Sequence, residues 1–541
     1  MNTIYNILSS KKAAWLFTII AIACRIINIL FASFTSRDKI FLALQSKSLL
    51  HGKGLSIPQY FSTDLMNPVY DLTPKWPPGY PILLAPFLKI FDYDVAAATA
   101  AIDLIGGIAL IFITRSVAKY LKFPPAAINM ITLIAGCFEY AFISEALPTD
   151  ISSFAFFLGG LFILLKAIQE EPLQTNKIIL ASLLLFIPCT FRYSYPPLSM
   201  AAPFAVIFLG WHLKKNILVK KGVLSLVIVS LLLVIFFISL KTMTGKTGYI
   251  VDTEKGFYPD NLLHCAPIVP GSFINTFFTT SQLIDKAGMD FLHSHRLLEI
   301  INALMIAGLL ILFSFLFFGK KFFKRVDPFK SFLLIGFFVS AATFVSLGYL
   351  SATYKPQSGY DYGWNYFNEP RYFMFVSFFL QIGFIGWVFL YQPWKKSILQ
   401  KAVVIFLSLL LFVEVAHNIY FHTKVALNPS KYQVAPYEET DYTFFTDTLE
   451  SFGREYPDAD FLIISESDDF FPLMAAYLDR KGIYDGQTFV KQMLKIKKKT
   501  ILIFALYENE LPPYREFLTK QNAILLNQIN GVSFYSVTLE P

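Results

Sequence analysis

Charge is what this sequence has least of. Only 16% of its 541 residues are Asp, Glu, Lys or Arg, whereas 55% are hydrophobic and 17% aromatic. A soluble domain carries about 25% charged residues, so this chain lacks the means to cover a water-facing surface, and its mean hydropathy of +0.52 agrees. Disordered, collagen-like and soluble globular classes are excluded together. Cysteine is scarce too. Of four, Cys24, Cys137 and Cys189 lie inside apolar runs and only Cys265 in a polar stretch, so no disulfide framework or pair is evident and redox chemistry has little claim. No glycine-rich phosphate loop appears, which argues against an ATP-driven pump, and no internal repeat or low-complexity tract is present. The net charge of +8 comes from 46 basic against 38 acidic residues. These basic residues cluster between apolar runs, so the charge reports membrane topology and no nucleic-acid partner is implied.

What the chain has in quantity is apolar runs near the 20 residues that a spanning helix needs. About eleven are read, near 13–34, 95–114, 124–143, 150–168, 177–191, 196–213, 222–241, 298–318, 329–350, 372–391 and 399–420. The fifth is short, but Arg192, Tyr193, Pro196 and Pro197 separate it from the sixth, which predicts a tight hairpin rather than one long helix. Basic clusters fall on alternate loops: Lys11 and Lys12; Arg115, Lys119 and Lys122; Lys166 and Lys177; Lys214, Lys215, Lys220 and Lys221; Lys320 to Lys330; and Lys395, Lys396 and Lys401. The positive-inside rule makes those loops cytoplasmic, with the N-terminus inside and, after an odd number of spans, the tail outside. The first run exceeds 20 residues and contains Arg25, so it reads as a retained anchor. Arg25 is costly inside a span and is expected to face other helices.

Three segments are then long and extracytoplasmic: about 35–94, 242–297 and 421–541. In the first, 40–50 and 81–91 suit helices lying in the interface, the latter being too short to span. The tail regains charge and carries strand-like runs at 461–465, 500–506 and 532–538 and helix-like stretches at 470–479 and 513–521. It reads as a small α/β domain. The predicted architecture is a polytopic α-helical module over 1–420 followed by an extracytoplasmic α/β domain over 421–541.

The polar residues at the outer helix ends are of few kinds. Asp38 follows the first span; a partly desolvated carboxylate there suits a general base, and equally a helix cap. Lys75-Trp76-Pro77-Pro78-Gly79-Tyr80-Pro81 places a lysine at headgroup level before a rigid turn, with Trp76 and Tyr80 as interface anchors or ligand-facing rings. Glu145 and Asp150 share a short outer loop, where two carboxylates suit sugar hydroxyls, a metal ion or a basic acceptor, although Asp150 also suits a helix cap. Arg192 and Arg371 end outer helices and each precedes a tyrosine, Tyr193 or Tyr372. Guanidinium forks bind phosphate bidentately, and snorkelling is the plainer use. Glu369 is a candidate ion-pair partner for Arg371. His264, Cys265, His293 and His295 include zinc-ligating types but have no recognised tetrahedral spacing. Glu466, Asp468 and Asp469 read as a solvated acidic loop.

Taken in order, the acid after the first span, the Pro-Pro-Gly-Tyr-Pro turn, Ser144-Glu145 before the fourth span and the two Arg-Tyr pairs resemble the GT-C integral-membrane glycosyltransferases. The likeness is to bacterial members of the protein mannosyltransferase and aminoarabinose transferase group, and it covers residues 1–420 in layout. It implies transfer of a sugar from a polyprenyl-phosphate donor to an extracytoplasmic lipid, glycan or protein acceptor. It also implies a bacterial inner membrane. The resemblance maps the acidic first-loop motif onto Asp38, the basic Pro-Pro segment onto Lys75, Pro77 and Pro78, and the third-to-fourth-span acid onto Glu145. With it, Asp38 becomes the candidate base and Lys75, Arg192 and Arg371 the candidates for the donor phosphate. Glu145, Asp150, Trp76, Tyr80 and Tyr193 are candidates for sugar or acceptor. Many relatives carry a second acid after the first, where this chain has Lys39. Metal dependence and acceptor type are therefore not carried over by the likeness; no cofactor is assigned, and a divalent metal stays open.

Two other classes compete. A flippase for lipid-linked sugars would line a path across the bilayer with polar residues, yet the mid-span positions here are mostly apolar. An O-antigen ligase or polysaccharide polymerase would rest on a large arginine-rich outer loop, whereas the promising residues here sit in the first.

Overall fold

In hydrocarbon each backbone N–H and C=O must find its partner within its own segment, so long apolar runs become helices. The computed structural model describes residues 2–31, 37–61, 64–72, 77–137, 149–245, 276, 304, 326–353, 370–395, 397–428, 451, 454–458, 460–465, 481–483, 499–529 and 532–540. Its first half contains α1 (Asn2–Leu8), α2 (Lys11–Phe31), α3 (Arg37–Leu50), the strands β1 (Ile57–Phe61) and β2 (Asp64–Asp71), α4 (Gly79–Ile90), α5 (Val95–Tyr120), α6 (Pro125–Cys137), α7 (Thr149–Gln169), α8 (Thr175–Phe191), α9 (Tyr195–His212) and α10 (Asn216–Thr244). Then come α11 (Pro328–Thr353), α12 (Pro370–Tyr391) and α13 (Ile398–Leu427). Seven of the described helices are long and apolar enough to cross a membrane, namely α2, α5, α7, α10, α11, α12 and α13. The chain is an α-helical polytopic membrane protein. Each expected span overlaps a described helix except 298–318, which lies outside the described residues apart from Leu304; the helices α6, α8 and α9, at the expected spans 124–143, 177–191 and 196–213, are not among the seven.

The chain divides into two compact units. One comprises Met1–Ile29, Asp103–Ser144 and Thr149–Leu427; the other comprises Leu30–Ile102, Glu145–Pro148 and Asn428–Pro541.

In the first unit α7 packs along α8, α9 along α10, and α11 along both α9 and α12. Lipid tails are as apolar as leucine, so close helix contact must come from small residues and internal hydrogen bonds. Both devices are present. A β-carbon at Gly160 of α7 would lie 2.9 Å from the Ala181 carbonyl oxygen of α8, and one at Gly210 of α9 would lie 2.6 Å from the Val219 nitrogen of α10. The Ser182 and Ser225 hydroxyls meet at 2.8 Å between α8 and α10. At the α7 C-terminus, where a helix leaves four carbonyls without partners, buried Lys221 of α10 donates from Nζ to the Ala167 carbonyl at 2.8 Å and to the Glu170 carbonyl. Nearby, Lys177 pairs with Glu170 at 2.5 Å, both partly exposed. Helix α13 turns a narrow stripe inward that includes Glu414, Asn418 and His422 at helical spacing. Asn418 Nδ2 donates to Glu414 Oε1 at 3.1 Å.

In the second unit α3 packs on α4, and the Ser46 hydroxyl of α3 donates to the Pro81 carbonyl at 3.0 Å. Neither helix is among those long enough to cross, as the interfacial reading expected. Strands β1 and β2 form an antiparallel hairpin that the sequence reading did not foresee. The tail holds β3 (Asp460–Ser465), β4 (Lys481–Ile483), β5 (Thr500–Tyr507), α14 (Arg515–Lys520), β6 (Ile524–Ile529) and β7 (Val532–Leu539). They make a five-stranded sheet in the order β4-β3-β5-β7-β6, parallel across β4, β3 and β5 and antiparallel across β5, β7 and β6. The central strand β5 is buried along nearly its whole length, which is why it reads Thr-Ile-Leu-Ile-Phe-Ala-Leu-Tyr without alternation. Leu502, Phe504, Leu506, Tyr514, Leu518 and Val537 form the core. The expected stretch 470–479 lies outside the described residues.

Candidate active site at one end of the helix bundle

The first turn of α7 begins Thr149-Asp150, and Asp150 is only 2% exposed. A carboxylate taken from water to such a place requires a countercharge. Arg192 supplies it: the residue follows α8 directly, and its Nη1 donates to Asp150 Oδ1. Its position is fixed by the chain. Pro188 inside α8 leaves its carbonyl to accept the Arg192 backbone N–H at 3.0 Å, and the Arg192 carbonyl in turn accepts the Tyr195 N–H at 3.3 Å, which closes the turn into α9.

Around the pair lies an aromatic wall. Tyr195 is buried at the start of α9 and stacks edge-on with Phe375 of α12 at 5.2 Å between ring centroids, while Phe154 and Phe157 of α7 meet the same Phe375 at 5.1 and 4.9 Å. Edge-to-face contact sets the positive ring edge against the negative face, so this cluster holds α7, α9 and α12 together beside the ion pair. Tyr193, in the turn, is half-buried, and burial pushes its hydroxyl well above its ordinary range. It stays protonated and able to donate.

The pair leaves capacity unused. Among the described residues, Asp150 Oδ2 has no hydrogen-bond partner. A buried acceptor without a partner is costly in a finished core and is expected where a ligand hydroxyl completes the set. Chemically, the arrangement offers a guanidinium held in a low-dielectric wall, a carboxylate oxygen open to a donor, and a neutral phenol.

The other expected site residues fare unequally. Asp38 is the second residue of α3 and Arg371 the second of α12, but both side chains lie outside those described. Lys75, Trp76 and Glu145 also lie outside, as do His264, Cys265, His293, His295 and the acidic loop at 466–469. Tyr80 is fully buried, which places its ring among packing residues and not on a surface. Pro78 stands at the N-cap of α4. Arg25 is buried against other helices as expected, and its Nη2 donates to the Ala135 carbonyl at 3.1 Å. Among the described residues no group of three His, Cys, Asp or Glu side chains gathers as metal ligands would. The sequence reading named Asp150 and Arg192 separately but did not pair them, and it missed Tyr195. The break between the two helices is read from Arg192, Tyr193, Pro196 and Pro197, without Tyr195.

At the level of sequence, no family model and no curated protein matches the chain. Solved structures do. ArnT from Cupriavidus metallidurans, in the apo state, aligns over 97% of this chain and 98% of its own with a TM-score of 0.55 at 11% identity. The archaeal oligosaccharyltransferase AglB from Archaeoglobus fulgidus, in complex with an inhibitory peptide and a dolichol-phosphate, aligns over 91% of this chain and 69% of its own with a TM-score of 0.50 at 13% identity. Both are members of the GT-C superfamily. At such low identity the likeness establishes architecture alone, and the architecture of this chain is the GT-C fold.

Proposed function

We propose that the protein transfers a sugar from a polyprenyl-phosphate donor to an extracytoplasmic acceptor in the cell envelope. The observation that carries this reading is a fold shared with ArnT over nearly the whole of both chains. The buried Asp150–Arg192 pair supports it, because it presents a fixed guanidinium and an unused carboxylate oxygen at one bundle end. In this reading residues 1–420 form the catalytic module and 421–541 an accessory domain. The N-terminus is cytoplasmic and the tail extracytoplasmic.

The reaction is displacement at the anomeric carbon. An acceptor hydroxyl oxygen forms the new bond, the bond from the anomeric carbon to the phosphate oxygen breaks, and polyprenyl phosphate leaves with the electron pair. Asp38 takes the hydroxyl proton, and Lys75, Arg192 and Arg371 offset the charge that grows on the leaving phosphate. Asp150 holds Arg192 in place and, with Glu145, Trp76 and Tyr193, forms the sugar and acceptor set, while Tyr80, fully buried, is among the packing residues of α4. One carboxylate serves as base and none is assigned as nucleophile, so the reaction inverts the anomeric configuration.

The test is transfer of radiolabelled sugar from a panel of polyprenyl-phosphate sugars by purified protein with membrane lipid acceptors. Wild type should transfer label. Asp38→Asn should melt like wild type and lose on the order of 100-fold or more in rate. Label that crosses liposome bilayers on its carrier without transfer would make the protein a flippase and end this reading.

A further inference from the structure

Three consecutive residues at the end of α6 grip one face of α2. The Ala135 carbonyl accepts from Arg25 Nη2 at 3.1 Å, Gly136 meets Ala21, and the thiol of Cys137 donates to Cys24 Sγ at 3.4 Å. Ala21, Cys24 and Arg25 stand three and four residues apart, which puts them on a single helical face. The glycine sets the spacing. A β-carbon at Gly136 would lie 2.4 Å from Ala21 Cα and 2.5 Å from its carbonyl oxygen, so the two backbones touch beside the cysteines. Both cysteines are buried. They are 113 residues apart in sequence and in separate apolar runs, so no spacing rule could have paired them.

Two thiols in van der Waals contact at a backbone crossing have the approach that a disulfide requires. Its bond length is about 2.0 Å, so the two sulfurs, 3.4 Å apart, must draw together for the bond to form. The alternative is a pair of small buried hydrophobes joined by a weak S–H donor. Compartment decides between them. With the N-terminus cytoplasmic, Cys24 lies seven residues before the end of α2, about 10 Å from its extracytoplasmic end, and Cys137 closes the described part of α6 on the same side. That side is the oxidising one in cells that form disulfides.

We propose that Cys24 and Cys137 form an intramolecular disulfide that staples α2 to α6. This goes beyond the transfer reaction and uses none of the residues assigned to it; it shares with that reading only the membrane orientation. The oxidant is an extracytoplasmic disulfide of the thiol-exchange class. One cysteine thiolate attacks that disulfide and expels one thiol; the second cysteine then attacks the mixed disulfide and expels the other. Two S–H bonds are lost, one S–S bond forms between Cys24 and Cys137, and the two electrons and two protons leave on the oxidant as two thiols. Burial makes both sulfurs poor targets once packed, so exchange belongs to the stage before α2 and α6 close on each other.

The experiment uses the full-length protein in native membranes, with thiols trapped by acid and then by N-ethylmaleimide in denaturant before mass spectrometry. The expected result is a Cys24–Cys137 cross-linked peptide released by dithiothreitol, with Cys189 alkylated as the buried free control. In wild type, dithiothreitol should lower the thermal midpoint; in Cys24→Ala and Cys137→Ala it should not. Recovery of Cys24 and Cys137 as alkylated thiols, or of either linked to Cys265, would overturn the proposal even if an added oxidant later forces the bond. The peptide readout on wild type decides the matter should either variant fail to fold.

Discussion

The two ends of the α7–α8 hairpin each bury an ion, and they satisfy it differently. At one end Asp150 meets Arg192 and keeps one carboxylate oxygen without a partner among the described residues. At the other, Lys221 reaches across from α10 and caps the last carbonyls of α7. A lysine at a helix C-terminus answers both the orphan carbonyls and the helix dipole, so its chemistry is consumed by the fold. The carboxylate at the N-terminal end also suits the dipole, yet its second oxygen is left over. The difference separates a charge whose hydrogen bonds the fold uses up from one that keeps an acceptor oxygen without a partner among the described residues.

The sharpest way to break this contrast is to remove Arg192 alone. Arg192→Leu leaves Asp150 buried without its countercharge, and losing one partner of a buried pair costs about 3 kcal/mol. Transfer should fall on the order of 100-fold with the loss of a preorganised donor. The double variant Asp150→Leu with Arg192→Leu removes both ions and should regain most of the stability, since apolar replacements of a buried pair are often neutral, while transfer stays lost. Thermal unfolding in detergent and the radiolabel assay read the two effects separately. Recovery of transfer in the double variant would reduce the pair to a strut.

Lys221→Met should show the opposite pattern. It removes two charge-assisted bonds to carbonyls that have no other helical donor, worth about 2 kcal/mol together with the dipole term. The rate per folded molecule should not change. Lys221→Arg keeps a cation and should lose less. A drop in turnover by the folded Lys221→Met protein would show that the two ends are coupled and the contrast false.

How far the sequence carries this far is uneven, for physical reasons. Helices were legible because hydrocarbon allows little else, and β5 and β7 because apolar β-rich runs of strand length stand out in a charged tail. The hairpin of β1 and β2 was hidden: Pro58 and Pro68 interrupt its strands, and no tight turn dipeptide joins them. Strand β6, Ile-Leu-Leu-Asn-Gln-Ile, lacks alternation and follows a helix closely enough to read as its continuation. At the site, Asp150 and Arg192 were each visible as costly residues at helix ends, but their pairing needs α7 and α8 folded against each other over 42 residues of chain. In sequence Lys221 stands with Lys214, Lys215 and Lys220 as a topology signal, and nothing local to Lys220-Lys221 tells which lysine turns inward to the α7 carbonyls.

The smallest effect expected belongs beside Lys221. Lys177 and Glu170 form an ion pair at 2.5 Å, with side chains 43% and 36% exposed. By distance alone it matches the buried contacts, so it tests whether burial or geometry governs the energetics at this end. An exposed pair gains little in high dielectric and loses side-chain entropy, so Lys177→Ala should change stability by about 0–1 kcal/mol, and less in high salt. Thermal unfolding of Lys177→Ala against Lys221→Met, at low and high ionic strength, makes the comparison. Equal losses from the two variants would mean that Lys221 owes its worth to the local charge on Glu170 and Glu171. A loss confined to Lys221, insensitive to salt, assigns that worth to the capped backbone of α7.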